Sequence, residues 1–567
     1  MEDVQRIAKD VVETVAPYLE DVRVKVNTSC SQLEGWQIIA YTFGLTLILV
    51  SIYNFLFDEE KSLKARVKKS FFKFVKNLPI VKGMIQKEVD KNAKGVQESF
   101  QNATGGMPYV VQLPKKGMSE QQIMKELDKY QAMVEIDWSK GNVSGAVYNG
   151  SNELTEIITK AYKKFAWTNP LHPDLFPDIR KMEAEVVRMC CTMFNGDDNS
   201  CGTVTSGGTE SILLACLAYR NMAKERGIRY PEIIAPITVH AAFDKAADFF
   251  HMKLTHIPVD PKTCKVDVNK MRRAINKNTC MLVGSAPQFP HGSIDNLEAI
   301  GALGVRYNVP VHTDCCLGGF LVPFMEKAGF DVPIVDFRVP GVTSISADTH
   351  KYGFAPKGSS VILYRNTEYR RGQFFVQPDW PGGIYASPTL AGSRAGAIIA
   401  SCWASMMHFG EDGYVETTRK IIETTRYIAD KLSKIEGIYV LGKPDVSVVA
   451  IASNDFNIFR LSDAMNGLGY SLSALQFPSS IHLCVTLLHT KPGAADTFLN
   501  NVRTCAAKIM KDPNAKCGGI GAIYGMSQSI PDRSMVSQIV GLFLDACYNT
   551  KDPEDSDKKV QKTNGVH

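Results

Sequence analysis

Four short stretches of this chain carry residue types that can do chemistry together. Residues 205–210 read Thr-Ser-Gly-Gly-Thr-Glu and precede an apolar helical run, so backbone N–H groups at a helix start could close on an anion. His240 follows one apolar run, and Asp314 ends another. Lys351 closes the stretch Ser-Ile-Ser-Ala-Asp-Thr-His-Lys, where desolvation would make a lysine nucleophilic. Taken singly, such features are more often structural than catalytic.

Together these stretches supply what a pyridoxal 5′-phosphate site requires. The cofactor needs a lysine for its Schiff base, an acid at its pyridine nitrogen and an anion site for its phosphate. Lys351, Asp314 and the glycine stretch meet these needs, and His240 could stack on the pyridine ring. The sequence therefore predicts pyridoxal 5′-phosphate as the cofactor. It predicts no metal, because none of the 14 cysteines falls in a Cys-x-x-Cys spacing.

The elements that must position these residues lie between residues 116 and 395, where helical patterns alternate with short apolar runs. Four of these runs read as buried strands, at 233–235, 281–283, 309–311 and 342–345. Strands that alternate with helices indicate an α/β fold with a mainly parallel sheet. Ligands bind at the carboxyl ends of such strands, which is where His240, Asp314 and Lys351 fall.

The pattern changes after residue 395. A long amphipathic stretch at 415–432 precedes strand-like runs at 446–451 and 481–488, which predicts a smaller α+β domain over residues 396–550. The last 17 residues, 551–567, are polar and are predicted to be disordered. The sequence thus predicts a large α/β domain over residues 116–395, which includes an N-terminal arm, followed by a small domain.

Residues 35–57 form an uncharged segment between two acidic residues. A helix of this length, at about 1.5 Å per residue, would cross the hydrocarbon core of a bilayer. We therefore predict a transmembrane helix over residues 36–57. Residues 61–87 carry nine basic side chains and no acidic one, whereas residues 1–34 carry seven acidic and four basic ones. The positive-inside rule then makes the helix a signal-anchor, with residues 1–35 lumenal and the remainder cytosolic.

The overall net charge alone excludes few classes of protein, and the positions of the charged residues along the chain are more informative. The sequence has 64 Lys and Arg against 59 Asp and Glu, a net charge of +5. Residues 61–87, within the predicted basic segment and linker at 58–115, carry nine of the positive charges and no negative one, so the rest of the chain has a net charge of −4. This distribution gives no argument for nucleic-acid binding. The ordinary composition, 45% hydrophobic and 22% charged, excludes collagen-like and wholly disordered classes.

The same residues resemble a known enzyme family. The glycine stretch, His240, Asp314 and the pair His350-Lys351 resemble the fold-type I pyridoxal-phosphate enzymes of the decarboxylase group. That group usually has Pro-His-Lys at the lysine, whereas this chain has Thr349 in place of the proline. Longer stretches at 169–174, 346–353 and 383–388 resemble the sphingosine-1-phosphate lyases of that group. The resemblance runs from the N-terminal apolar segment to about residue 535.

The resemblance implies a role for each candidate residue. Lys351 would carry the cofactor, Asp314 would pair with the pyridine nitrogen, and His240 would stack on the ring. Four residues would surround the cofactor phosphate: Gly207, Gly208, Thr209 and His350.

The resemblance also implies residues that serve the substrate or the neighbouring subunit. Ser393, within the segment 392–394, would reach the cofactor phosphate of a neighbouring subunit, which implies a homodimer with shared active sites. Tyr385 matches an active-site tyrosine. Four residues match positions near the phosphate or amine of the substrate: Tyr148, Asn169, His172 and Lys357.

The activity implied is that of a membrane-anchored lyase of sphingolipid metabolism in the endoplasmic reticulum. It would cleave the C2–C3 bond of phosphorylated long-chain bases, such as sphingosine 1-phosphate, by a retro-aldol reaction to a fatty aldehyde and phosphoethanolamine. Two alternatives remain open from the residues. A pyridoxal-phosphate-dependent amino-acid decarboxylase would use the same pocket, although Thr349 departs from its usual pattern. An inactive membrane scaffold is disfavoured because Lys351 and Asp314 are both present.

Overall fold

The computed structural model describes residues 17–18, 20–56, 78, 83, 95–100, 102–518 and 533–550. The chain divides into two compact units, Met1–Lys87 and Glu88–His567. Apart from residues 78 and 83, the predicted basic segment at 61–87 lies outside the described residues. The predicted disordered tail at 551–567 lies wholly outside them.

The described residues of the first unit include the helices Glu20–Cys30 and Gly35–Leu56. Within the described part of the chain, no single helix has both the length and the apolar composition that a membrane crossing requires. The helices Glu20–Cys30 and Gly35–Val50 meet these requirements only as a pair, bent by 118°. The transmembrane helix predicted for residues 36–57 is therefore not confirmed.

The second unit is built on a sheet of seven strands: β1 (Cys201–Thr205), β2 (Glu232–Pro236), β3 (Lys253–Ile257), β4 (Thr279–Ser285), β5 (Val311–Asp314), β6 (Val342–Ala347) and β7 (Ser360–Tyr364). Their order in the sheet is β1-β7-β6-β5-β4-β2-β3. Strand β7 runs antiparallel to β1 and β6, and the other pairings are parallel. Strands β1, β2, β5 and β6 therefore end at the same edge of the sheet.

Apolar side chains cover both faces of this sheet. In β2, Ile233 and Ala235 belong to one core cluster, whereas Ile234 belongs to the other. Successive residues of a strand point to opposite faces, so a continuous apolar run indicates burial on both sides. This explains the continuous apolar run Ile233-Ile234-Ala235 in β2.

Helices connect and flank the strands. Within the described residues from 120 onward, the α-helices of the second unit are α1 (Glu120–Gln131), α2 (Asn152–Phe165), α3 (Pro177–Met193), α4 (Gly208–Glu225), α5 (Ala242–Phe249), α6 (Val268–Ala274), α7 (Leu297–Tyr307), α8 (Val322–Met325), α9 (Thr367–Arg371), α10 (Gly396–Leu432), α11 (Phe459–Asn466), α12 (Ala494–Met510) and α13 (Arg533–Cys547). Helix α10 is broken at Gly410, whose φ of 56° and ψ of −173° are not helical.

The C-terminal part of this unit has a second sheet, all antiparallel, in the order β10-β11-β13-β12. Its strands are β10 (Tyr439–Val440), β11 (Val448–Ala452), β12 (Ser473–Leu475) and β13 (Ser480–Cys484). A separate hairpin, β8 (Phe375–Gln377) with β9 (Tyr385–Ser387), lies between the two sheets in the sequence. The α+β pattern expected after residue 395 is present, while the domain boundary itself stays a prediction.

The predicted runs at 233–235, 281–283 and 342–345 lie within longer strands, whereas three other predicted runs extend beyond the strands of the structure. The run at 309–311 contributes only Val311, because Asn308 ends α7 in a left-handed conformation and the N–H of Val309 donates back to Gly304. The run at 446–451 is shifted to β11. The run at 481–488 stops at Cys484, because Thr486 caps a short 3₁₀ helix, Leu487–Thr490. At 309–311 and 481–488 a helix cap therefore competes with the strand.

Candidate active site

A cavity of about 460 Å³ opens at the edge where β1, β2, β5 and β6 end. Residues from all four predicted stretches line it, including Lys351, Asp314, His240 and residues 206–209. These stretches are distant in sequence, and the parallel strands bring them together because each stretch directly follows a strand. The structure thus assembles the chemically interesting residues in one place.

Lys351 is held by a carboxylate that the sequence reasoning did not single out. Its Nζ lies 2.8 Å from Oδ2 of Asp348, and the two side chains are 24% and 2% exposed. Burial alone would lower the pKa of Lys351, but the carboxylate of Asp348 outweighs burial and raises the pKa above its usual range. Before the cofactor binds, the side-chain amine of Lys351 is therefore protonated.

Asp314 is the last residue of β5 and is buried. Its Oδ1 accepts hydrogen bonds from the backbone N–H of Cys316 at 3.1 Å and from the hydroxyl of Ser346 at 3.3 Å. These two donors fix the orientation of the carboxylate. A buried and oriented acid at the cavity wall can stabilise a positive charge placed in the cavity.

The glycine stretch forms a tight loop between β1 and α4. A Cβ atom at Gly208 would lie 2.8 Å from Oδ1 of Asp348 and 2.8 Å from Sγ of Cys316, so a side chain does not fit there. A Cβ at Gly207 would meet only Cε1 of His350, at 3.5 Å. Because α4 begins at Gly208, its first N–H groups lack intrahelical partners and can bind an anion.

Two histidines flank the cavity in different environments. His350 is partly buried, its Nδ1 accepts from the N–H of Ser359 at 3.3 Å, and burial lowers its pKa. The Nε2 atom of His350 lies 3.8 Å from Oδ2 of Asp348. His240 is exposed, and its Nδ1 accepts from the N–H of Ala242 at 3.1 Å. His240 therefore presents its ring to the cavity from the solvent side.

Tyr148 and Lys357 form a pair near Lys351. The Nζ of Lys357 lies 4.8 Å from the ring centroid of Tyr148, and it also lies 3.4 Å from the carbonyl oxygen of His350. Burial and the neighbouring Lys351 lower the pKa of Lys357, while burial raises the pKa of Tyr148. The tyrosine lines the cavity, so this pair adds a positive charge and a hydroxyl close to it.

The other four predicted residues lie in a second group. The side-chain Nδ2 of Asn169 donates to the hydroxyl of Ser393 at 3.1 Å. His172 is exposed, and the hydroxyl of Tyr385 lies close to Gly392. None of the four is among the described residues that line the cavity. The structure therefore does not bring them to Lys351 of the same chain.

The residues at the cavity fit pyridoxal 5′-phosphate. The wall offers a buried amine, a buried and oriented acid, and a helix start that lacks room for a side chain at Gly208. Oδ1 of Asp348 is a buried acceptor without a hydrogen-bond partner in the described protein. This donor set has the three parts that the cofactor requires.

Comparison with known proteins agrees with this chemistry. Residues 107–453 match the family model described as the pyridoxal-dependent decarboxylase conserved domain. The chain is 51% identical to sphingosine-1-phosphate lyase 1 of Rattus norvegicus over 540 residues, which cover 95% of this chain and 94% of the relative. It is 50% identical to sphingosine-1-phosphate lyase of Drosophila melanogaster over 533 residues, 94% of this chain and 98% of the relative. The chain belongs to the sphingosine-1-phosphate lyase family.

A solved structure supports the same family. Sphingosine-1-phosphate lyase of Burkholderia pseudomallei superposes with a TM-score of 0.70 at 38% identity, covering 77% of this chain and 97% of that chain. Membership of the sphingosine-1-phosphate lyase family confirms the predicted enzyme class, a pyridoxal-phosphate-dependent lyase, and the predicted cofactor. The family model and the solved structure also confirm the fold-type I α/β architecture. The individual roles of the site residues stay predictions.

Sequence reasoning missed several residues of this lyase site. Asp348 lies in the quoted stretch before Lys351, and its spacing of three residues was a usable signal. Glu210 and Cys316 also line the cavity, beside the glycine loop and Asp314. Phe289 enters from the loop after β4, where no pattern in the sequence pointed to the site. These residues are recognisable only once the strands are assembled.

Proposed function

We propose that this protein cleaves the C2–C3 bond of phosphorylated long-chain bases, such as sphingosine 1-phosphate, to a fatty aldehyde and phosphoethanolamine. The proposal is supported by Lys351, Asp314 and the glycine loop lining one cavity, together with membership of the sphingosine-1-phosphate lyases. The substrate has no carboxylate on C2, so the bond that breaks is the one to the carbon bearing the hydroxyl group.

The chain would hold its cofactor from three sides. Lys351 would bind the aldehyde carbon, Asp314 the pyridine nitrogen, and the N–H groups at 207–209, with His350 beside them, the phosphate. When bound, pyridoxal phosphate supplies an electrophilic carbon for amines and accepts the electron pair freed when a bond at C2 breaks. The buried carboxylate of Asp314 would keep the ring nitrogen protonated and so favour that electron transfer. His240 would stack against the ring.

Proton handling would fall to Lys351 and Asp348. Their 2.8 Å ion pair keeps a proton on the amine, so Lys351 must lose that proton to solvent before it reacts. Once displaced by the substrate amine, Lys351 is a candidate for removing the proton of the C3 hydroxyl. The hydroxyl of Tyr148 is protonated at neutral pH, and burial raises its pKa further above the usual value of about 10, so it could donate a hydrogen bond.

Recognition of the substrate phosphate would use Lys357. Its ammonium lies beside Tyr148, at the side of the cavity where Lys351 also contributes positive charge. A phosphate bound there would be attracted by the positive charge of Lys357. It could accept hydrogen bonds from the side chains of Lys357 and Tyr148. We propose that Asn169, His172 and Tyr385 of one subunit contribute to the substrate site in the cavity of the second subunit.

A homodimer is the proposed assembly. Large apolar side chains are exposed around the second group of residues, with Trp167 at 95%, Leu175 at 66%, Trp380 at 54% and Ile384 at 81% exposure. Clusters of exposed aromatic and aliphatic residues mark protein–protein interfaces. Pairing through this surface would bring Tyr385 and Ser393 toward the neighbouring subunit's cavity.

Membrane attachment is also part of the proposal. The uncharged segment at 35–57 and the basic residues at 61–87 support a single-pass, signal-anchored protein of the endoplasmic reticulum with a cytosolic catalytic unit. An amphiphilic substrate resides at the bilayer surface, so a tethered enzyme shortens its search. Protease protection of residues 1–35 in sealed microsomes, with digestion of the catalytic unit, is the expected result.

The activity is tested with the full chain in detergent. We expect the holoenzyme to release a long-chain aldehyde from a long-chain base phosphate. Lys351→Ala should abolish both this release and the visible absorption of the bound cofactor. A holoenzyme that releases carbon dioxide from an amino acid, and no aldehyde from the lipid, would instead establish the decarboxylase alternative.

A further inference from the structure

Glu210 is a buried acid beside the proposed phosphate loop, and it has no role in the chemistry described above. It is the third residue of α4, and its side chain is 9% exposed. Its Oε2 accepts two hydrogen bonds from Ser206, one from the backbone N–H and one from the hydroxyl, both at 2.7 Å. The carboxylate therefore holds the first residue of the loop.

The other oxygen of Glu210 reaches a distant segment. Oε1 accepts a hydrogen bond from the N–H of Leu390 at 3.1 Å, across 180 residues of sequence. Leu390 lies in a turn in which the hydroxyl of Ser387 donates to the carbonyl of Ala391 at 2.7 Å. One side chain thus joins the glycine loop to the segment that follows β9.

A carboxylate at this place has an electrostatic cost, since it would repel a phosphate bound at the same loop. The three donors facing it compensate by holding its charge in charge-assisted hydrogen bonds. Because the carboxylate of Glu210 accepts hydrogen bonds from Ser206, it also fixes the conformation in which the next residues, Gly207 to Thr209, enter the helix. In that conformation their N–H groups are free to bind an anion. A neutral side chain could not accept all three bonds equally well.

We propose that Glu210 is a positioning residue for the cofactor, fixing the phosphate loop on the segment 387–391. This rests on the proposed role of residues 207–209 in binding the cofactor phosphate. Since the same segment leads to Ser393 at the proposed subunit interface, Glu210 also couples the loop to that interface. A subunit contact that orders the segment 387–391 would then strengthen cofactor binding, and cofactor binding would in turn order this segment.

The test compares three variants of the full chain as apoenzymes: Glu210→Gln, Ser206→Ala and Glu225→Gln. Glu225 is the matched control, because it is an exposed residue at the far end of the same helix. Pyridoxal 5′-phosphate is titrated into each apoenzyme and followed by its absorption, and thermal unfolding of the apoenzyme is measured separately.

We expect Glu210→Gln to weaken cofactor binding at least about tenfold, because a glutamine leaves at least one of the three donors unpaired. Ser206→Ala should give a smaller loss in the same direction, and Glu225→Gln none. The apoenzyme should lose some stability as well, because the same donor is unpaired without the cofactor, and kcat at saturating cofactor should largely recover. If Glu210→Gln does not fold, the smaller loss in Ser206→Ala carries the same test.

Unchanged cofactor affinity in Glu210→Gln, or a loss of apoenzyme stability without any loss of affinity, would overturn the proposal. The readout is independent of lyase activity. If the unaltered enzyme released no aldehyde yet the affinities followed this order, the proposed reaction would fail while the role of Glu210 would stand.

Discussion

Replacing Asp348 by asparagine should change how the apoenzyme captures its cofactor. In the structure, the Asp348 carboxylate lies 2.8 Å from Nζ of Lys351 and raises the pKa of that amine. Asparagine keeps the shape of the side chain but removes its charge. Burial, which lowers the pKa of a lysine, would then dominate. The variant should therefore hold a neutral, reactive amine at a lower pH.

The size of the effect follows from the ion pair. At 2.8 Å and an effective dielectric constant of about 20, Coulomb's law gives an attraction of about 6 kcal/mol before desolvation. Breaking a buried pair typically costs about 3–5 kcal/mol. Lys351 keeps 24% of its side chain exposed and can release its proton, so we take the lower end. About 3 kcal/mol corresponds to a fall of roughly two pKa units.

The sign of the stability change follows from the raised pKa of Lys351 in the folded state. The stabilisation is fully present below the pKa of an unfolded lysine, about 10.4, and is lost as pH rises through the folded value. The unaltered apoenzyme should therefore be more stable than Asp348→Asn by about 3 kcal/mol near pH 7, and the difference should shrink as pH rises through the lowered pKa of Lys351 in the variant. Denaturant unfolding at several pH values measures this difference.

Cofactor capture provides the decisive assay. Stopped-flow absorption follows the reaction of apoenzyme with pyridoxal 5′-phosphate between pH 7 and pH 10. The rate in the unaltered protein should rise about tenfold per pH unit, because only the neutral amine reacts, whereas the rate in Asp348→Asn should level off within this range. Asp314→Asn is the matched control: it removes a carboxylate from the same cavity wall and should weaken binding without producing the plateau. A continuing rise in Asp348→Asn, parallel to that of the unaltered protein, would refute the reasoning.

Three further outcomes are expected. Gly208→Ala should weaken cofactor binding at least about tenfold in an absorption titration, because its Cβ would collide with two side chains, whereas Gly207→Ala should bind nearly normally. Arg394→Ala breaks a largely buried ion pair and should lower the free energy of unfolding by about 3 kcal/mol, whereas Lys327→Ala breaks an exposed pair and should cost less than about 1 kcal/mol. Burial lowers the pKa of His312 to about 4, so its stabilising contribution is complete above pH 6.5 and is lost as pH falls toward 4. His312→Gln should flatten that part of the unfolding profile; an unchanged slope would contradict it.

The placement of the main site residues was predictable because it depends on strand ends. Asp314 and Lys351 follow apolar runs, and parallel strands carry such residues to one edge. Glu210 was not predictable, since its role depends on a hydrogen bond across 180 residues. The family resemblance implies Tyr385 as an active-site tyrosine, yet Tyr385 does not line the cavity that holds Lys351 of the same chain. Patterns along the chain do not record such distances.

Strand bounds were less predictable than strand existence. The apolar run at 309–311 satisfies the pattern of a strand, yet the preceding helix takes Val309 into its C-terminal cap. Likewise, Thr486 caps a 3₁₀ turn and stops the last strand early. Caps and strands use the same backbone groups, so local competition decides the boundary after the fold is set.

The antiparallel strand β7 has a consequence for synthesis of the chain. Strand β1, which leads into the glycine loop, pairs with β7, with Cys201 opposite Tyr364. At about 5–20 residues per second, a ribosome needs roughly 8–30 s to add the 155 residues between Thr205 and Ser360. During that interval the nascent β1 lacks this sheet neighbour, although all of its own residues are already made. The anion loop therefore becomes anchored late, after the reactive lysine has been translated.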